Sequence, residues 1–220
     1  KHRCWFNFFT WINNMSGIVA QNVGRPSGLV KAAEGGGGAW VEIKSLTASA
    51  DSTLDFVDGT SDVVLDSTYP VYCFKFINIH PETNSKILGF QSSTDTGSSY
   101  GVTATTTFFR GQQTEAGSDE TLAYDANMDF AQSTSFLYIG RPILNDNDAS
   151  LSGSLHIFNP SSTTFVKHFL YNVQVMGSFC QNAFGAGYFN TTSAVDAMQF
   201  KMASGNIDAG KIKLFGIKDS

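Results

Sequence analysis

Catalysis by acid–base or nucleophilic chemistry needs a nucleophile, a base and a group that stabilises developing charge, gathered in one pocket. The four histidines are poor material for this. His2 lies beside the N-terminus, His80 precedes Pro81 at the end of an apolar run, and His156 and His168 fall inside strand-like segments. Neither a G-x-S-x-G elbow nor an H-E-x-x-H helix is present. Paired carboxylates would suit glycoside hydrolysis, which a β-sandwich can support across a cleft. Yet the glutamates, Glu34, Glu42, Glu82, Glu115 and Glu120, avoid the middle of apolar strands, where burial would raise a carboxyl pKa for acid catalysis. Asp119-Glu120, in a polar stretch, is the pair that could border a hydrolytic site; a solvated loop is the preferred reading.

Metal chemistry finds equally little. Asn145-Asp146-Asn147-Asp148 packs four side-chain oxygens together, but calcium loops need alternate spacing, a shaping glycine and ligands from elsewhere. Asn and Asp bond their local backbone in ordinary turns, and a turn is expected here. Cys4, Cys73 and Cys180 are far apart, with no CxxC or Cys/His cluster, which argues against zinc. Cys73 sits in an apolar run and reads as a free buried thiol, although the sequence also leaves a Cys73–Cys180 disulfide open. Asn190-Thr191-Thr192 fits a glycosylation sequon, relevant only in a eukaryotic secretory setting. No residue is assigned as catalytic, cofactor-binding or metal-binding, no cofactor is expected, and an enzyme is not the expected class.

The composition describes the scaffold that would position any site. Of the 220 residues, 42% are hydrophobic and only 15% charged, against about a quarter charged in an average globular protein. Hydroxyls replace the missing charge: 24 Ser and 19 Thr stand beside 21 Gly and 19 Phe. These types favour turns and pleated surfaces over long helices. The net charge of −5 and the scattering of 14 basic residues argue against nucleic acid, which needs clustered cations.

Along the chain, residues 1–14 stand apart. Trp5, Phe6, Phe8, Phe9, Trp11 and Ile12 follow three basic residues, but Asn7, Thr10, Asn13 and Asn14 interrupt them. The run is too short for a membrane span, which needs roughly 20 apolar residues. Because Met15-Ser16-Gly17 resembles a natural start, residues 1–14 are read as lying upstream of it; an aromatic anchor for a partner is the alternative. Residues 16–38 are expected to be an extended leader ending in the glycine hinge Gly35–Gly38. A β-sandwich is expected over residues 39–220.

That domain reads as short strands between turn clusters: 40–46, 53–57, 71–79, 86–92, 100–109, 136–139, 151–158, 165–175, 197–202 and 211–217. Residues 111–134 read as irregular. The alternation is clearest in 165–175, where Phe165, Lys167, Phe169, Tyr171, Val173 and Val175 share one face. About ten strands without a convincing helical period indicate an antiparallel sandwich, jelly-roll-like in form. Gly205-Asn206 would turn a terminal hairpin between 197–202 and 211–217.

Several segments are similar, as a set, to virion structural proteins of tailed bacteriophages. They are Tyr69-Pro70-Val71-Tyr72 running to Ile79-His80-Pro81, then Ile87-Leu88-Gly89-Phe90-Gln91-Ser92, and the polar loop from Asp95 to Tyr100. Gly153-Ser154-Leu155-His156-Ile157-Phe158-Asn159-Pro160 and the ending from Ser204 to Ile217 complete the set. The leader from Met15 to Lys31 resembles N-termini of small structural proteins of marine and cyanobacterial phages. The resemblance implies a jelly-roll-like component of a tail fibre, spike or head decoration. It further implies contact with other virion proteins, a homo-oligomer such as a trimer, a role in host-surface attachment and a virion location. It carries no catalytic residues. From another class, a carbohydrate-binding, lectin-like module would stack sugars on Tyr100, Phe108, Phe109, Tyr124 or Tyr188 and bind a cell-surface glycan.

Overall fold

The computed structural model describes residues 39–177 and 179–219; the expected leader, its glycine hinge and residues 1–14, read as lying upstream of the start, lie outside the described residues. Twelve strands follow in order: β1 (Trp40–Thr47), β2 (Leu54–Val57), β3 (Val71–Pro81), β4 (Leu88–Ser93), β5 (Ala104–Gln113), β6 (Glu120–Tyr124), β7 (Leu137–Tyr138), β8 (Ser150–Phe158), β9 (Lys167–Met176), β10 (Cys180–Phe189), β11 (Ala197–Met202) and β12 (Ile207–Ile217). No helix occurs among the described residues.

The strands form two antiparallel sheets, an eight-stranded one in the order β1-β12-β3-β8-β9-β10-β5-β6 and a four-stranded one in the order β2-β11-β4-β7. Eight of the strands have jelly-roll connectivity. β1-β12-β3-β8 faces β2-β11-β4-β7, so the chain passes from one sheet to the other between β1 and β2, β2 and β3, β3 and β4, β7 and β8, and β11 and β12, and again on entering and leaving the insertions, between β4 and β5, β6 and β7, and β10 and β11. The other four strands are two insertions. β5–β6, between β4 and β7, and β9–β10, between β8 and β11, widen the first sheet beyond β8. The all-β sandwich expected from composition and period is therefore the fold.

Alternation fixes which face of each strand is inward. In β9, Lys167, Phe169, Tyr171, Val173 and Val175 are buried while His168, Leu170, Asn172 and Gln174 are exposed, as the period indicates. A one-residue slip would turn that whole set to solvent. Between the sheets the core is largely aromatic. Phe56 meets Phe74 edge-to-face at 5.2 Å, Phe76 meets Phe200 at 5.4 Å, and Phe90 meets Phe169 at 5.2 Å. Each of these pairs joins a strand of one sheet to a strand of the other. Burial of one such side chain is worth roughly 1.5–3 kcal/mol, and the edge-to-face geometry adds about 0.5–1.5 kcal/mol per pair.

Several local expectations need correction. Residues 111–134 are not irregular throughout, because β5 runs on to Gln113 and hairpins into β6. β10 has no counterpart in the sequence reading. The proposed terminal hairpin does not form: β11 pairs with β2 and β4, whereas β12 pairs with β1 and β3. Gly205, at φ +73°, lies in an arch between sheets rather than a turn within one. The strand expected from residue 165 begins at Lys167, leaving Phe165 exposed in the preceding loop.

Candidate functional site

The residues weighed for catalysis are dispersed. His80 Nδ1 lies 2.8 Å from the Ala149 carbonyl. His156 sits beside Trp40, and burial followed by the nearby Lys75 ammonium lowers its pKa. His168 lies against Tyr188. Glu42 pairs with Lys213 at 2.9 Å, and Glu82 accepts the Asn206 amide at 3.2 Å. Glu120 opens β6 and Asp119 immediately precedes it, both exposed, with Asp119 accepting from Gln112 and Thr121. The Asn145–Asp148 run includes a turn in which the Ala149 amide donates to the Asp146 carbonyl at 2.9 Å. Cys73 and Cys180 are free thiols, the first buried and the second exposed, on strands with β8 and β9 between them. Burial pushes the Cys73 thiol up to about 11. Asn190 is exposed and donates to Gln132 Oε1. No helix among the described residues is long and apolar enough to cross a membrane.

One polar cluster escaped the sequence reading. Asp125, 8% exposed, receives Arg141 at 2.9 Å and Arg110 Nε at 3.2 Å. Gln112 accepts from Arg110 and from Gln181 Nε2. Gln112, Arg141 and Gln181 line a cavity of about 180 Å³ with Leu144 and Phe179. The cluster ties the inserted β5–β6 hairpin to the segment before β8. Its partners are separated by 15 and 16 residues, and no local motif announces them.

The outward face of the inserted strands is the more distinctive surface. Register places Tyr124, Phe109, Phe184, Asn172 and Ser154 in one cross-strand row from β6 to β8. Phe109 and Phe184 stack at 5.4 Å with their planes 14° apart. Leu122 is 83% exposed and Leu170 51% exposed. A depression of about 320 Å³ lies between Phe109, His156, Leu170 and Phe184. The outward positions are the even-numbered residues of β6, β8, β9 and β10 and the odd-numbered residues of β5, and the single Asp, Glu, Lys or Arg among them is Glu120, at the start of the edge strand β6. Charge returns on the other half of the sheet, where Lys75 lies over the Trp40 ring and Glu42 pairs with Lys213.

Of the five aromatics considered for sugar stacking, Phe109, Tyr124 and Tyr188 reach this outward face. Phe108 is fully buried in the core, and Tyr100 lies in the loop before β5, its phenol raised chiefly by burial and then by Asp55. The Tyr124 hydroxyl donates to Asp129, which raises its pKa. Phe184 and Leu170 were missed as surface residues. Phe184 falls in the unrecognised β10, and Leu170 was placed on the correct face without its exposure being foreseen.

An aromatic panel with an uncharged centre can exclude water against a flat partner or stack a sugar ring. It holds no nucleophile–base pair. No protein-family model matches the chain, and no curated protein matches it significantly.

Proposed function

We propose that this chain is a non-enzymatic structural protein of a phage virion, part of a tail fibre, spike or head decoration, with a role in attachment to the host surface. The observation that carries the reading is the pairing of a jelly-roll sandwich with a broad outward face on which formal charge is confined to Glu120 at the rim. Jelly rolls recur in viral shells and lectins. Depletion of charge with enrichment of aromatics is the compositional mark of the centre of an interface. The order of the short motifs from Tyr69 to Ile217, similar to tailed-phage virion proteins, supports the same reading. The expected partners are other virion proteins and further copies of the chain.

The test is composition of purified particles. In density-gradient-purified virions of the phage that encodes the chain, peptides from residues 39–220 are expected to band with the major head and tail proteins. Their confinement to the lysate supernatant would contradict the reading.

A carbohydrate-binding module is the second reading, favoured by Phe109, Phe184 and Tyr124 standing in one row beside the amide of Asn172. It expects signal on a glycan array that disappears in Phe184→Ala; a blank array would remove it.

A further inference from the structure

We infer that the outward face of β8, β9, β10, β5 and β6 is a self-association surface, on which a second copy of this chain packs face to face about a two-fold axis. The inference names a partner for the surface on which the proposed function rests.

Size is the first argument. Strands of nine or ten residues in β8, β9, β10 and β5, with the five residues of β6, make a panel of about 700 Å² in projection at ~4.8 Å between strands and ~3.4 Å per residue. Standard interfaces bury roughly 600–1,000 Å² per partner. The panel is thus large enough for a stable dimer.

Charge is the second. A face whose single Asp, Glu, Lys or Arg among the outward strand positions is Glu120, at the rim on β6, offers little to complement a charged partner of another kind, and its charge-free centre meets its own copy without repulsion. The chain's net charge of −5 would otherwise oppose association, and on this sheet the formal charges of β1, β12 and β3 lie outside the panel.

Symmetry is the third. Ring-forming association needs two different complementary patches, whereas a two-fold interface uses one patch twice. The other outer face, on the small sheet, carries Asp55, which accepts from Gln199, and Lys201, which lies over Phe136. The aromatic panel has no such counterpart there, so pairing like with like is the solution that covers it. In that arrangement the stacked Phe109–Phe184 pair and Leu170 form the dry centre, while Asn172, Asn182 and Gln174 supply hydrogen bonds around it.

The test is the mass of the full-length chain by sedimentation equilibrium at about 50 µM, above the micromolar Kd that marks the weak end for interfaces of this size. The expected result is twice the mass of one chain, falling to one with Leu170→Lys and Phe184→Lys together. Both side chains point outward, so far-UV circular dichroism and melting temperature should be retained. Phe165→Lys, an exposed apolar residue in the loop before β9, should leave the dimer intact.

A monomeric full-length chain, a trimer, or a dimer that survives the double lysine variant while folded would each overturn the inference. If the double variant does not fold, Leu122→Lys with Tyr124→Lys on the edge strand β6 replaces it, read in the same way. A monomer found in virions would defeat this inference alone, and a dimer absent from virions would defeat only the proposed function.

Discussion

Asp95 shows how a surface loop is organised by one carboxylate. Its Oδ1 accepts from the Ser93 hydroxyl at 2.6 Å and the Ser99 amide at 2.9 Å, and its Oδ2 accepts from the Ser99 hydroxyl. These hydrogen bonds, led by the two hydroxyls, hold its pKa down to about 2 from an ordinary 3.8. A depressed folded-state pKa means stability that is present above the unfolded value and lost as pH falls through the folded one. The window is therefore between 3.8 and about 2. Asp95→Asn should flatten the fall in melting temperature across that range; an unchanged slope would show that the loop gains nothing from the ionised form. Tyr171 presents the opposite case. Its hydroxyl is buried without a hydrogen-bond partner among the described residues, and desolvation raises its pKa. Removing a buried unsatisfied group relieves its desolvation cost, so Tyr171→Phe should be neutral or stabilising by about 1 kcal/mol in urea denaturation.

At the scale of elements, β10 explains both a feature of the core and a failure of sequence reading. Cys180–Phe189 contains Gly185, Gly187 and two alanines, a composition that scores poorly as strand. The glycines are there for their neighbours. A Cβ on Gly185 would come within 1.9 Å of the Tyr171 ring, and one on Gly187 within 2.6 Å of the Phe169 ring. Gly185→Ala should destabilise by roughly 2–3 kcal/mol through overpacking, measured by urea denaturation; a neutral result would mean the Tyr171 ring can move aside. The same contrast marks what was legible. β9 could be read because its inward residues are large and alternate, while β10 is the small-residue half of the same packing. The β5–β6 hairpin was hidden by the polar, exposed character of an edge strand. The ending from Ser204 to Ile217 read as a hairpin because an arch between two sheets uses the same turn residues as a turn within one. Which sheet a strand joins is decided by distant partners such as β2 and β3, whose pairing leaves no local mark.

The whole molecule combines a jelly-roll frame with two insertions that widen one sheet. The frame follows from composition and period, but the surface it creates does not. Phe109, Tyr124 and Phe184 come from three strands, and their common exposure depends on the order β10-β5-β6, which crosses the chain sequence. The scarcity of charge across that face, with Glu120 alone at its rim, is visible only once the outward positions are known. The dispersal of the histidines and carboxylates leaves that panel as the broadest surface suited to recognition among the described residues, and assembly as its simplest use. The most direct measurement is an electron-microscopy map, at side-chain resolution, of the particle whose genome encodes the chain. The expected result is jelly-roll density for residues 39–220 with Phe109, Leu170 and Phe184 buried against a second protein surface. Density that leaves this panel facing open solvent, or a particle without the chain, would contradict the account.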